Sequence, residues 1–450
     1  LKVPEPRISK IIVFFVKIFA RLYLFLFLGV ARVLLRGGDY LFDVYKRALQ
    51  GDSRCLLAFR HPNGGEPQLL AWFIIYRLRQ LARKAGVSFS RRPHICFVYG
   101  YEVVRWGGFV ARLVMPRLGA MPVHHAKLDS VGMSRIYKTI IEGPYPLAIA
   151  PEGQVSYTSE TVPRLEQGTV RIGFQAAEKL AKEGKTCPVE VLPVSIHFRY
   201  GLWARVSLER LLRRIEKYTG TGMKGKSGTA VPFSERLRQC RDMILALNER
   251  RYGIVPDEGL SFAERVDAVM ELALDSAEKI LRIRRGGGDN GDIIGRLYHI
   301  RQICWDRIYV PEMENLDAIP KVERSLADLR AGEAWYASRH MELVDFVWYF
   351  RIPVPEDDAP LHLRIEYVQN LWDFANRTMG GAYTKRVINP HPRRVIIQVA
   401  PPLNLTERLS EYRRDKKEAI TLAMDALRNA YLDCIEEVKR PDNSSRAVFF

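Results

Sequence analysis

Nothing in this sequence asks for a disulfide framework or a metal. Its six cysteines, at 55, 96, 187, 240, 304 and 434, are scattered and form no C-x-x-C pair. That usage implies reduced thiols in a cytosolic compartment. His124-His125 are adjacent, but no third ligand lies at regular spacing from them, so no metal site is expected. Low-complexity tracts are absent as well. A run fit to cross a bilayer is also lacking. In the most apolar segment, residues 11–35, Lys17, Arg21 and Arg32 interrupt the sequence, and the longest uncharged stretch is Leu22–Ala31. That is half of the roughly 20 residues a spanning helix needs. No small-residue cleavage site follows it, so a removed signal peptide is not expected. The chain opens on Leu1, and a few residues are expected ahead of it.

Acidic residues are in short supply. There are 51 Asp+Glu against 69 Lys+Arg, a formal charge of +18. Such a balance favours an anionic partner: nucleic acid, an anionic membrane face or a phosphorylated substrate. The charge reads as spread along the chain and no DNA- or RNA-binding motif is present, so nucleic acid is not expected. The remaining composition, 47% hydrophobic and 27% charged, is that of an ordinary globular protein with room for two or three domains. Residues 11–35 read as a helix lying in the headgroup region, with Lys10, Lys17 and Arg21 near one face. A tilted spanning helix with snorkelling cations and a buried core helix are the alternatives.

From 54 to 200 apolar, strand-like runs alternate with helical periodicity. The strands are Cys55–Phe59, His94–Tyr99, Ala120–Val123, Leu147–Ala150 and Val189–Ile196. The helices are Gln68–Lys84, Phe109–Met115, Ser134–Glu142 and Gly168–Glu183. That alternation predicts an α/β fold, a sheet covered by helices on both faces, with its chemistry at strand ends. Three of those ends are polar. Phe59 is followed by Arg60-His61-Pro-Asn-Gly-Gly-Glu66, Ala150 by Pro151-Glu152-Gly153-Gln154, and Val191-Leu-Pro-Val leads to Ser195. The spacing of His61 and Glu66 lets a turn bring a carboxylate to one imidazole nitrogen, leaving the other to take a proton.

These motifs, in this order, resemble the glycerophospholipid acyltransferases, the lysophosphatidic acid and glycerol-3-phosphate acyltransferases. His61 and Glu66 match that family's His-x4-Asp pair, with Glu in place of Asp. Gly119-Ala-Met-Pro-Val-His-His125 matches its second block, with His125 where Arg is usual. Pro151-Glu152-Gly153 matches its third, with Gln154 in place of Thr, and Val191-Leu-Pro193-Val its fourth. The resemblance covers residues 45–200. It implies a membrane-associated O-acyltransferase on the cytoplasmic face. Such an enzyme moves a fatty acyl group from acyl-CoA or acyl-carrier protein to a glycerol-based (lyso)phospholipid, foremost 1-acylglycerol-3-phosphate. No cofactor is implied beyond the thioester co-substrate.

In that reading His61 is the base and Glu66 fixes its tautomer. Glu152 and Gly153 face the acceptor alcohol, while His125, Arg112 and Arg117, with Arg171, supply charge for a phosphate or for the donor. No acyl-enzyme is required, so the missing Gly-x-Ser-x-Gly elbow is no objection. The alternatives are a non-enzymatic basic module that binds anionic membrane, and an acyltransferase for a lipid acceptor without phosphate.

After Phe198 the rhythm stops, and residues 206–385 read as helices with Trp335, Trp348 and Trp372 in their core. Arg393–Pro402 is again a strand, and Ser410–Lys439 a long helix. The expected organisation is a membrane-associated helix at 1–40, an acyltransferase core at 41–205, and a mainly helical insertion at 206–390. A strand and helix at 391–440 complete the core, and 441–450 form a tail. An independent C-terminal domain is the alternative. If 206–390 is an insertion, Val395–Val399 must pair in the same sheet as Leu192–Ile196, with Val395, Ile397 and Val399 on one face and Ile396 on the other.

Overall fold

A computed structural model describes residues 5–101, 103, 107–124, 129–222, 231–257, 259–285, 293–309, 318–380, 392–440 and 446–449. The chain forms two compact units, one made of 1–203 with 389–450, the other of 204–388.

The first unit opens with α1 (Lys10–Leu26), capped where Ser9 Oγ accepts from Ile12 N, and continues through β1 (Val30–Arg36) into α2 (Gly38–Gln50). Gly37 makes that last junction possible. Its φ is +64°, and a Cβ there would sit 2.1 Å from the Val399 carbonyl oxygen, so only glycine fits. Next come β2 (Arg54–Phe59), α3 (Glu66–Trp72), a π turn (Phe73–Arg77) and α4 (Leu78–Lys84). The chain then runs through β3 (Cys96–Gly100), α5 (Gly108–Arg117), β4 (Met121–Val123), α6 (Ser130–Glu142), β5 (Leu147–Ile149), α7 (Gly168–Lys182) and β6 (Val189–Tyr200).

Six helices form the second unit among the described residues: α8 (Ala204–Thr219), α9 (Phe233–Arg251), α10 (Phe262–Leu281), α11 (Ile293–Ile308), α12 (Lys321–Tyr349) and α13 (Leu361–Thr378). Arg296 of α11 is fully buried there and bonds Glu271, Asp275 and Glu278 of α10. Of the tryptophans expected in its core, Trp372 is buried. Trp335 is exposed under the Arg339 guanidinium, because the first half of α12 faces solvent along most of its length.

The chain returns to the first unit in β7 (Arg393–Val399), β8 (Leu403–Asn404), α14 (Leu409–Arg414), α15 (Lys416–Lys439) and β9 (Arg446–Phe449). The single helix expected over 410–439 is thus two. It breaks at Asp415, whose carboxylate caps α15 by accepting from Lys417 N and Glu418 N.

The nine strands among the described residues join one mixed sheet, ordered β4-β3-β5-β2-β6-β7-β1-β9, with β8 alongside β6. β2 lies in its middle, parallel to both β5 and β6. β7 pairs antiparallel with β6 in the register Val194 with Val399 and Ile196 with Ile397, so the expected pairing is present. Helices cover both faces. One face buries Leu57, Phe59, Leu192, Val194, Val395, Ile397 and Val399 under α2, α3 and α4. The other buries Leu56, Ala58, Val189 and Val191 under α6, α7 and α15. Ile396 lies with Leu34 and Val438, off the face of its neighbours, as a strand of period two requires.

The N-terminal apolar segment differs from its expectation. Helix α1 stops at Leu26, Gly29 turns the chain at φ +62°, and residues 30–36 enter the sheet as β1 between β7 and β9. One continuous apolar run therefore serves two purposes. Val30, Val33 and Leu35 are core, whereas α1 leaves Ile11, Phe14, Phe15, Ile18, Phe19, Leu22 and Leu26 each more than half exposed. Only Leu24 of α1 is buried, and the helix is held by the Tyr76 hydroxyl donating to Val13 O. No described helix is long and apolar enough to cross a membrane.

Charge is not spread evenly. The first unit carries 40 Lys+Arg against 23 Asp+Glu, the second 29 against 28. Most arginines of α9 to α13 have acidic partners. Lys10, Lys17, Arg21, Arg83, Lys84, Arg91 and Arg92 have none among the described residues. The even spread read from the sequence is corrected accordingly, and the net charge belongs to the unit that bears α1.

Candidate active site

Strand β2 is apolar and buried from Cys55 to Phe59. Its parallel neighbours β5 and β6 fix it, so the residues that follow Phe59 emerge at the carboxyl edge of the sheet, where such folds place their chemistry. The chain turns over His61–Gly65, with Gly64 at φ +95°, and Glu66 opens α3 with Pro67 in its first turn. This turn closes the dyad. Glu66 Oε2 lies 2.6 Å from His61 Nδ1 and also accepts from Gly64 N at 2.8 Å.

The two side chains differ in access. Glu66 is wholly buried, while 16% of the His61 side chain is exposed. Because Gly64 N–H donates to the same Glu66 oxygen, that oxygen acts as an acceptor. It therefore holds a proton on Nδ1, and Nε2 is left as the basic nitrogen. Nε2 has no hydrogen-bond partner among the described residues. The Phe59 ring, 5.7 Å away, braces the imidazole edge-on. Glu66 Oε1 is buried and likewise without a partner among the described residues.

Glu152 occupies a different place from the one expected. Expected to face an acceptor alcohol, it is fully buried. Its Oε1 accepts from Arg60 Nε at 2.8 Å and its Oε2 from the His61 backbone N at 3.0 Å. The apolar strand β2 ends on a charge that cannot reach water, so the acid following the neighbouring strand β5 is drawn inward to meet it. Gly153 follows at φ +71°, and a Cβ there would come within 3.0 Å of the Glu166 side chain. Its role is to let the loop double back, which it does as Glu166 N donates to Pro151 O.

The remaining expected residues are not gathered at the dyad. Arg117 ends α5, the crossover from β3 to the parallel β4, and so lies toward the opposite edge of the sheet. It donates to Leu113 O within its own helix. Arg112 is half-buried on the same helix, and Arg171 bonds Gln167. His125 lies outside the described residues. Its neighbour His124 stacks on Tyr101 at 4.1 Å and donates its backbone N–H to Asp129 Oδ2 at 3.1 Å.

Sequence reasoning passed over Arg60. The signal was there: a charged residue closing a run of core residues needs a buried partner. A hydroxyl–imidazole pair, Ser195 Oγ with His197 Nε2 at 2.8 Å, is completely buried and offers no access.

The thiols are poor nucleophiles. Burial raises all six, Cys96, Cys304 and Cys434 to about 12. At neutral pH none is appreciably ionised. What the site can offer is a general base oriented by a buried carboxylate, placed at a strand end. Compared with known proteins, the sequence matches no family model and no curated relative.

Proposed function

We propose that the first unit is a membrane-associated O-acyltransferase that moves a fatty acyl group from acyl-CoA or acyl-carrier protein to a glycerol-based (lyso)phospholipid. The observation that carries this reading is the 2.6 Å contact of His61 Nδ1 with a buried Glu66, which leaves Nε2 without a hydrogen-bond partner among the described residues on a partly exposed ring. Nε2 takes the proton of the acceptor hydroxyl as its oxygen attacks the thioester carbonyl. The tetrahedral adduct collapses by breaking the carbon–sulfur bond, and the imidazolium returns the proton to the departing thiolate. Glu66 stays ionised throughout and stabilises the imidazolium. Burial disfavours the thiolate at all six cysteines, which favours direct transfer over a thioester intermediate on the chain.

Two features support the membrane part of the proposal. Helix α1 presents a continuous apolar face, and Lys10, Lys17 and Arg21 are exposed beside it. On a helical wheel those three cations fall on one flank of the arc formed by Ile11, Phe15, Ile18, Leu22 and Leu26. An in-plane helix, with its apolar face among acyl chains and its cations toward phosphate, uses both. The acceptor foremost in this reading is 1-acylglycerol-3-phosphate.

The α1 face and the charge of the first unit also favour a second reading, membrane attachment without chemistry. The full-length protein incubated with acyl-CoA and 1-acylglycerol-3-phosphate in anionic vesicles decides between them, with released thiol as the readout. Transfer that disappears in a folded His61→Ala variant supports the enzyme. Vesicle binding with no transfer from acyl-CoA or acyl-carrier protein to any glycerol-based acceptor leaves the second reading. Wild-type rate in folded His61→Ala removes the dyad from the chemistry.

A further inference from the structure

We infer that the buried Arg60–Glu152 ion pair is a positioning device for the dyad, setting the His61 backbone so that the His61–Glu66 contact stays short. The inference rests on the reading of His61 as base. Its motivation is the number of bonds converging on one peptide. Arg60 is 0% exposed and all three of its guanidinium nitrogens are engaged. Nε donates to Glu152, Nη1 to Ser159 O at 2.9 Å, and Nη2 to Thr158 O at 3.0 Å and Thr161 O at 2.7 Å. Glu152 passes the restraint on, since its second oxygen holds His61 N. The other side of the same residue is fixed too, by Ser156 N donating to His61 O at 3.0 Å.

The loop after β5 thus holds the backbone of the base at both its polar atoms. α15 supports the arrangement from behind. The Arg60 guanidinium lies 5.9 Å from the centre of the buried Tyr431 ring, whose hydroxyl donates to Ala58 O at 3.0 Å. A buried ion pair is a poor way to add stability, because desolvation offsets most of the attraction. Its use here is orientation. A planar guanidinium with fixed donor directions fixes the carboxylate, and the carboxylate fixes one backbone N–H. Arg60 and Glu152 are positioning residues, because neither meets the reacting atoms in this arrangement.

The test compares Arg60→Met, Glu152→Gln and the double variant in the full-length protein. Each is first shown to be folded by its thermal transition. The readout independent of activity is the NMR resonance of the His61 Nδ1 proton, assigned by its absence in His61→Ala. A proton shared at short distance with a buried carboxylate resonates far downfield. In Arg60→Met the resonance moves upfield as the contact with Glu66 lengthens, and kcat falls about 10- to 100-fold with KM little changed. In the double variant both charges are removed together with the bond from Arg60 Nε, so nothing fixes the direction of the neutral glutamine that faces His61 N. The resonance then stays upfield of its wild-type position, and this variant, which leaves no unpaired buried charge, decides the matter if the single ones do not fold. An unmoved resonance in folded Arg60→Met, or in the double variant when that alone folds with no change in kcat, overturns the positioning role. A moved resonance in a protein that shows no acyl transfer upholds the positioning role and sinks the acyltransferase reading instead.

Discussion

Replacing Glu66 by Gln separates charge from geometry at this site more cleanly than any other single change. In the native turn one oxygen, Oε2, accepts both the His61 Nδ1 proton and the Gly64 amide, while Oε1 is buried without a partner among the described residues. An amide can put its single oxygen where Oε2 lies and keep both bonds. What it cannot keep is the negative charge that stabilises the imidazolium as it forms. A hydrogen bond to a charged acceptor is roughly twice as strong as its neutral counterpart, a difference of about 1–1.5 kcal/mol.

Converted to rate, that is a fall in kcat of about 5- to 10-fold. The Gln amide nitrogen takes the place of Oε1 and finds no acceptor among the described residues, so thermal stability should drop by about 1–3 kcal/mol as well. KM for the thioester should stay near its wild-type value, because Glu66 is buried away from substrate. The assay is thiol release from acyl-CoA under saturating acceptor, with melting followed in parallel. Two results would refute the reasoning: a rate equal to wild type, or a loss as complete as that of His61→Ala.

Three further outcomes follow from the fold. Replacing Phe15, Phe19 and Leu22 together by Ser should release the protein from anionic vesicles without unfolding it, since all three are exposed; neutralising Lys10, Lys17 and Arg21 should weaken binding most at low salt, and undiminished binding in both would exclude α1 as the contact. Ending the chain after residue 205 should yield an insoluble fragment, because β6 loses β7 and exposes a long apolar edge; a soluble, active 1–205 fragment would refute this. His94 is buried with Nε2 on Leu118 O, and burial lowers its pKa from the ordinary histidine value. A group held neutral in the fold contributes fully above the unfolded pKa, near 6.5, and its contribution is lost as the unfolded chain takes up a proton below that pH. The melting temperature should therefore fall from pH 7.5 to 5.5, and fall less in His94→Gln; equal falls would remove His94 as a cause.

The core strands could be read from the sequence because each is a short apolar run bounded by polar turns, as at Cys55–Phe59 and Leu147–Ala150. The dyad could be read because its two members are five residues apart and joined by one turn. The join of α1 to β1 could not, since Phe27, Leu28 and Val30 are as apolar as the helix before them and only Gly29 marks the change. The partner of Glu152 was hidden for another reason. Arg60 lies 92 residues away, and the two meet only because β2 and β5 are neighbours in the sheet. Local spacing carries no information about which strands adjoin. The concentration of charge in one unit became visible only once the unit boundaries were known. Trp335 shows the limit of reading aromatics as core, for a helix may project beyond its neighbours and leave them in water.

Tyr431 donates to Ala58 across 373 residues of chain. A ribosome making about 5–20 residues each second needs roughly 20 to 75 seconds to cover that distance. During that interval His61 and Glu66 have already left the exit tunnel, yet the helix that backs their strand does not exist. β7, the strand that closes the open edge of β6, is also still to come. Translation therefore delivers the base and its carboxylate early and their support last. A nascent chain, or one terminated before α15, would carry the dyad without that brace. The braced dyad can form only in molecules whose synthesis has passed α15.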